Sequence, residues 1–430
     1  MPITRQLGKT FKTQNIGFIV SRLAGTDGVT LETYKWIRAF NELNCNVFIF
    51  SGLLENPDEN CMLEPKAFFG TQENMDLHKE FFHKNTRPLA CSIKVEEIKN
   101  HIKSRLYLFV EKFNIDILIP ENVLAIPMHI PLGLALAEVI AETNIPAIAH
   151  HHDFYWERLH FFFHSIQEYL DAAFPPSHPN IQNVVINRLA QQELAHRRSL
   201  ASMVIPNVAD FDTPPQAVDD YNRDLRERIG IGPEDFFILQ PTRIVARKGI
   251  EHAIDLIYRL KDKRFKLVIS HQAGDEGFEY MNWIKDLAAD RGIYVAFLTD
   301  ELSHSRCLDK EGKKRYTIWD VYANADFVTY PSLYEGFGNA FLEAIYFKRP
   351  VLINRYAVYI TEIEPKGFKV ISINGRVTNQ TVNETRDLMN DPEKRNEITE
   401  YNYKLGMEYY SFRTLKRNLS ILLSNTLGQW

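Results

Sequence analysis

The sequence predicts an α/β protein made of two tandem domains, each a parallel β-sheet covered by helices on both faces. Three observations carry this. Short apolar, β-rich runs alternate with amphipathic stretches along most of the chain, and that alternation builds right-handed β-α-β units. The pattern breaks at a Pro- and Asp-rich segment, 206–215 (PNVADFDTPP), and then restarts. The chain has 430 residues, too many for one compact domain at about 150 residues each, and α/β units often run larger, so two fit best.

In the first half, 15–20 (NIGFIV) reads as a strand that passes through a Gly-containing turn into a helix over 29–42. Residues 45–50 (CNVFIF) form the next strand, 95–113 a helix, 115–120 (IDILIP) a strand and 132–143 a helix. A strand at 146–149 ends in the run His150, His151, His152, Asp153. Strands at 183–187 (NVVIN) and 203–205 flank a helix near 189–198. After the break, strands fall at 236–240, 266–270, 294–298, 327–330, 351–354 and 369–373, with helices at 250–259, 280–290, 318–323 and 339–346. The stretch 394–427 reads as helical. The expected division is 1–205, 206–405 and a terminal helix, 406–430, packing back on the first domain.

Composition sets the broad class. Hydrophobic residues make 45%, charged residues 24% and aromatics 12%, a chain that buries large cores and is neither disordered nor fibrous. Fifty basic against 55 acidic residues leave a net charge of −5, which argues against a nucleic-acid partner. Cys45, Cys61, Cys91 and Cys307 include no C-x-x-C pair, so neither a zinc framework nor a disulfide framework is expected. The N-terminus lacks an apolar signal core, and the apolar region 117–149 is broken by prolines and glutamates. A soluble, cytoplasmic chain without a transmembrane segment is expected, compatible with a homo-oligomer. Three N-x-S/T matches, at Asn379, Asn383 and Asn418, then carry no meaning.

Open parallel sheets bind ligands at the carboxyl ends of their strands. Three turns there stand out. In GTDGV (25–29), Gly28 opens a helix and lets backbone amides approach a phosphate; on this motif alone a tight turn is the simpler reading. Arg243, Arg247 and Lys248, followed by Gly249 and a helix, suit a diphosphate, and a solvated turn explains them equally well. In the third, Glu335, Gly336, Phe337, Gly338 and Asn339 precede a helix carrying Glu343. The glycines expose amides to an anion, while two carboxylates beside that anion make sense only as acceptors from neutral hydroxyls. A nucleotide sugar carries hydroxyls on both sides of a diphosphate; a capping glutamate is the weaker reading here. At the histidine run, adjacent side chains alternate faces, so one or two face the cleft. Consecutive histidines do not readily converge on one ion, no H-E-x-x-H or carboxylate triad accompanies them, and no metal site is expected.

The third site in context, ADFVTYPSLYEGFGNAFLEAIYFKRPVLIN, closely resembles the E-x7-E block of retaining glycosyltransferases of family 4. TRIVARKGIEHAI resembles that family's donor-diphosphate segment, VIPNVADF its linker, and GTDGVTLETY the Gly loop of sucrose- and trehalose-type synthases. Together these span most of 15–425. The resemblance implies the GT-B architecture, two Rossmann-like domains across a cleft, with acceptor on the first and donor on the second. Carried over, Arg243 and Lys248 clamp the diphosphate, Glu335 holds hydroxyls of the transferred sugar and Glu343 those of the ribose. Gly336, Phe337, Gly338 and Asn339 present amides to a phosphate, which Gly28 approaches from the other domain. Leu298 and Thr299, in the stretch 297–300, contact the base. The family's donor-sugar histidine aligns with His151 or His152; His151, with Asp153 two residues on, is preferred. Arg22, Glu121, Asn122, Asp153 and Arg158 are the acceptor candidates. Two departures stand out: an insertion at 303–316, and RYAVYITEIEPKGF after residue 354 in place of the usual Gly-Gly turn, where Arg355, Tyr356 and Glu362 are either replacements or structural.

The expected activity is retaining transfer of a hexose from UDP-glucose or GDP-mannose to a small soluble acceptor. Front-face transfer fits better than a double displacement, because Glu335, the one obvious nucleophile, is placed beside sugar hydroxyls. The leaving diphosphate, stabilised by Arg243 and Lys248, takes the acceptor's proton. No metal or other cofactor is required; the D-x-D triplet at 210–212 lies in the linker and is incidental. The alternatives are a GT-B epimerase or hydrolase of nucleotide sugars, or a catalytically silent sugar-binding homologue. A dehydrogenase is disfavoured because no G-x-G-x-x-G follows a strand. The resemblance to sucrose- and trehalose-type synthases implies the soluble acceptor. The EGFGNAFLEAIYFKRPVLINRY stretch is also similar to that of enzymes making glucosyl- or mannosylglycerate.

Overall fold

The structure, a computed structural model, describes residues 13–25, 27–271, 278–298 and 301–428. It divides into two compact units, one drawn from Met1–Pro206 with Leu415–Trp430, the other Asn207–Thr414.

The first unit is built on a seven-stranded sheet. In chain order its strands are β1 (Asn15–Leu23), β2 (Asn46–Leu54), β3 (Cys61–Leu63), β4 (Ile117–Pro120), β5 (Ala147–His151), β6 (Ile181–Val185) and β7 (Ser202–Val204). They lie in the order β3-β2-β1-β4-β5-β6-β7, every pairing parallel. The central strands are buried along their length, as ILIP in β4 and AIAHH in β5 show, because helices cover both faces. The Leu89–Lys112 and Ile130–Thr143 helices are joined by Lys99 and Lys103, 2.6 and 2.7 Å from Glu138. The latter helix starts two residues before its apolar pattern suggests, because His129 Nδ1 caps it by accepting the Leu132 amide at 3.1 Å. The short edge strand β3 and the helices Gln72–Phe81 and Gln167–Ala173 are not expected from sequence. The two helical segments are largely polar, and β3, three residues long, takes its place only by pairing with β2.

The second unit holds a six-stranded parallel sheet. Its strands are β8 (Phe236–Gln240), β9 (Phe265–Ile269), β10 (Val295–Phe297), β13 (Phe327–Tyr330), β14 (Val351–Asn354) and β15 (Ile371–Ile373), ordered β10-β9-β8-β13-β14-β15. Between β10 and β13 the insertion forms a small hairpin, β11 (Cys307–Leu308) with β12 (Lys314–Arg315). It is pinned, not a free flap. Arg306 bonds Asp219 at 2.8 Å and Asp320, Lys314 reaches Asp224 at 3.0 Å, and the Tyr316 hydroxyl donates to Asp224 at 2.9 Å. Burial works to raise the Asp320 pKa, but Arg306 and the Thr317 amide prevail and hold it at about 2. A carboxylate depressed from 3.8 contributes stability that is present above about pH 4 and lost as pH falls towards 2. Asp320→Asn should therefore flatten the acid limb of a thermal-melt profile and destabilise this unit at pH 7 by about 1–3 kcal/mol.

A helix not expected from sequence, Asn379–Asn390, precedes the helical stretch expected over 394–427, which is itself two helices, Pro392–Tyr410 and Phe412–Leu427. Asp391 caps the former, accepting the Lys394 amide, with Pro392 at its first position; Ser411 is extended and separates it from the latter. In the first unit, Lys416 on that last helix bonds Glu42 at 2.7 Å.

Candidate functional site

In the second unit the carboxyl ends of β8, β9, β13 and β14 carry the polar residues. After β8 the chain makes a short 3-10 turn, Ala246–Lys248, and Gly249 at φ +61° starts the Ile250–Leu260 helix. A Cβ on Gly249 would lie 2.5 Å from the Pro331 carbonyl oxygen, so the loop after β13 closes directly over this turn; the Leu333 amide bonds the Arg247 carbonyl at 2.8 Å.

That closure brings Lys248 and Glu335 together, each only 9% exposed. Lys248 Nζ donates to Glu335 Oε1, and Arg247 stands 3.6 Å from Oε2. The ammonium lies over the Tyr330 ring at 5.8 Å. Burial pushes the Lys248 pKa down, Glu335 works against this, and Arg247 and Arg243 add to it. Arg243 is exposed and its guanidinium makes no hydrogen bond among the described residues. His271, at the end of β9, joins this group without any warning from motif reading. Its Nδ1 is 2.8 Å from Ser270 Oγ, and burial with the charges of Lys248 and Arg243 holds its pKa at about 4. A neutral imidazole therefore borders the cations.

The Asn339–Tyr346 helix begins at Gly338, whose φ is +136°, and no side chain caps it. The first amides are thus arranged as an anion site requires. Phe337 itself is core, packed on Tyr410, and its carbonyl accepts the Tyr356 hydroxyl at 2.6 Å. Asn339 Oδ1 accepts from Asn207 at 2.8 Å. Glu343, one helical turn in, accepts the buried Tyr322 hydroxyl at 2.8 Å. In the departing segment Arg355 makes a paired bond to Glu364 at 2.8 Å, Tyr356 braces the glycine loop, and the Glu362 carbonyl accepts from Tyr410 at 3.4 Å. A π-helical turn, Tyr359–Ile363, follows β14 there. Leu298 is buried and extends β10 by bonding the Ile269 carbonyl at 2.9 Å; Thr299 lies outside the described residues.

In the first unit, Asp27 caps the Gly28–Glu42 helix, accepting the Val29 and Thr30 amides at 3.1 Å, and pairs with Arg22 at 2.9 Å. The carboxylate thus sits at the helix start beside Gly28. At the ends of β4 and β5, Asn122 takes the left-handed conformation (φ 58°), receives the His152 amide at 3.0 Å and donates to Asp153 at 3.0 Å. Asp153 in turn pairs with Arg158. His151 turns away from its neighbours, its Nε2 3.0 Å from Asn183 Oδ1.

His150 and His152 share the opposite face. Consecutive histidines do not converge, but alternate ones do. Glu121, paired with His150 through an isolated β-bridge, places Oε1 2.8 Å from His150 Nδ1 and 2.6 Å from His152 Nε2. These ligand atoms lie within 4.8 Å of one another, a group able to hold a metal ion. Burial raises the Glu121 pKa, but the two histidines prevail and keep it at about 2. Burial lowers that of His152, and Glu121 more than reverses this.

A family model described as "Glycosyl transferases group 1" matches residues 308–405. The chain is 33% identical over 428 residues to the mannosylglucosylglycerate synthase of Thermotoga maritima, covering 92% of this chain and 96% of that one. It is 33% identical over 385 residues to that of Petrotoga mobilis, covering 84% and 87%. Among solved structures it is similar to sucrose-phosphate synthase from Thermosynechococcus elongatus (TM-score 0.67, 13% identity, 97% and 100% covered). It is also similar to a glycosyltransferase from Rickettsia africae (TM-score 0.68, 14% identity, 97% and 99% covered). At such identities these structures speak for the fold alone, two parallel-sheet α/β units of the GT-B type.

Proposed function

The chain belongs to the group 1 glycosyltransferases, and on that premise we propose that it transfers a mannosyl group from a nucleotide-diphosphate mannose to a glucosylglycerate-like acceptor, with retention. The buried Lys248–Glu335 pair beside an uncapped helix start carries this reading. The loops after β8 and β13 together offer a cation and amides for a diphosphate, and carboxylates for sugar hydroxyls. The relatives' name supplies the mannosyl group and the acceptor class; UDP-glucose is the second donor to test.

On donor binding, Lys248 exchanges Glu335 for a phosphate oxygen, and Glu335 is released to the hydroxyls of the sugar. Arg243, exposed and without a hydrogen-bond partner among the described residues, joins Lys248 on the diphosphate; His271 borders the same anion as a neutral donor. Glu343 holds the ribose hydroxyls. The bond from the anomeric carbon to the β-phosphate oxygen breaks as the acceptor oxygen bonds the same face. The acceptor's proton passes to the departing phosphate. Stabilising that leaving charge supplies most of the acceleration. Among the histidines, His152 is the one proposed for the donor sugar. Glu121 occupies its Nε2 and its Nδ1 makes no hydrogen bond among the described residues, so Nδ1 is the atom left for a sugar oxygen. Asn122, Asp153, Arg158 and Arg22 are proposed for the acceptor.

The test is product analysis with GDP-mannose and UDP-glucose, each with and without glucosylglycerate. Mass spectrometry should show one hexose added to the acceptor, and NMR should show the donor's anomeric configuration kept. Free hexose released at the same rate without acceptor would establish a hydrolase instead, and a changed but unreleased donor sugar an epimerase.

A further inference from the structure

Glu121, His150 and His152 make a donor set that transfer chemistry leaves only partly used. All three are buried, and their ligand atoms lie within 4.8 Å of one another. The backbone fixes this arrangement: His150 in β5 and His152 just beyond its end converge on Glu121, and the bridge between Glu121 and His150 sets the carboxylate beside them. Trp36 stacks on His150 at 4.0 Å, and the two imidazoles are 4.5 Å apart. Glu32, on the same helix as Trp36, is buried and bonds Lys35 at 2.8 Å; its charge is felt by both histidines.

Hydrogen bonding within the group does not complete it. Glu121 Oε2, both nitrogens of His150 and Glu32 Oε1 are buried without a hydrogen-bond partner; the 2.8 Å approach of His150 Nδ1 to Glu121 is poorly aligned for one. Orphaned buried polar atoms are rare in folded proteins, and several in one place call for a guest. A proton on His152 Nε2 satisfies a single contact. A cation shared by the three residues engages lone pairs on all of them.

We propose that Glu121, His150 and His152 bind one divalent transition-metal ion. Two imidazoles and one carboxylate suit Zn²⁺, with a fourth position left open for water. Metal–ligand bonds near 2.0–2.2 Å separate neighbouring ligands by roughly 3.3 Å. The carboxylate must therefore retreat by about half an ångström from its present contacts, a side-chain adjustment. With the ion on Nε2, His152 keeps its proton on Nδ1 and its ring direction is locked. The ion acts in the first unit by ordering this ligand group, and the diphosphate contacts of Lys248 and Arg243 do not involve it. The metal site and the proposed transfer site meet only at His152, with the ion on Nε2 and the donor sugar on Nδ1.

The full chain, stripped with chelator, is titrated with Zn²⁺ by calorimetry and with Co²⁺ by visible absorption. About one ion per chain is expected, with d–d bands of a four- or five-coordinate site and a thermal midpoint raised by a few degrees. Glu121→Gln and His150→Gln should each lose most of the binding. Wild-type protein that takes up neither ion, or variants that bind as wild type does, would overturn the site. The wild-type titration decides the matter even where a variant fails to fold. Hexose transfer measured on the stripped protein keeps the two readings separate, since transfer can survive while the metal site fails, and the reverse.

Discussion

Lys248→Ala is expected to lower turnover by about 10²–10³, the scale of removing one charged group that stabilises a transition state, with a smaller rise in the donor KM. Lys248 is the buried cation of the strand-end loop, and its charge is matched in the structure by Glu335. In the transition state the same ammonium faces a departing diphosphate, whose charge exceeds that of the bound donor. Its removal should therefore fall chiefly on kcat. A structural complication exists, because truncating one member of a buried pair leaves the other uncompensated. Arg247, 3.6 Å from the second Glu335 oxygen, limits that damage. A melt of the variant separates the two effects, and Lys248→Arg supplies the control, keeping the charge with a different reach. Lys248→Ala with near-wild-type kcat and an intact fold would remove this residue from the chemistry.

What the sequence disclosed, and what it hid, follows from the range of the interactions involved. The strands β8, β13 and β14 and the Asn339–Tyr346 helix stand where their apolar runs put them, since each run is bounded by turn residues and buried on both faces. The GT-B class followed from the restart of that pattern together with the motif resemblance. Pairings between strands were not legible. Glu121 and His150 are 29 positions apart in a numbering that says nothing of register, and the sequence marked each, one as an acceptor candidate and one in the histidine run, without joining them. His271 escaped because no glycine or cation marks it; applying the same rule to β9 would have found it. The break inside 394–427 is a single extended serine, Ser411, and the helical periodicity on both sides masked it.

Gly338→Ala should damage the second unit out of proportion to the single methyl it adds. The residue adopts φ +136°, a conformation that L side chains rarely enter, and a Cβ there would stand 2.4 Å from the Tyr356 hydroxyl oxygen. Backbone strain alone costs about 1–3 kcal/mol. The clash adds more, because the Tyr356 hydroxyl is held by its 2.6 Å bond to the Phe337 carbonyl and Tyr356 is itself buried. Relief by rotation would pull the first amides of the Asn339–Tyr346 helix out of line, and those amides are the proposed phosphate donors. Turnover should fall at least as far as stability does. Tyr356→Phe tests the cause: removing the hydroxyl costs about 1 kcal/mol alone but opens the space the alanine methyl needs. In the double variant the effects should be less than additive, with the φ strain left behind. Strict additivity in the melts would show that strain, and not the tyrosine, sets the requirement for glycine. Recovered stability without recovered turnover would show that the amide positions themselves, displaced by the methyl, serve the donor phosphate.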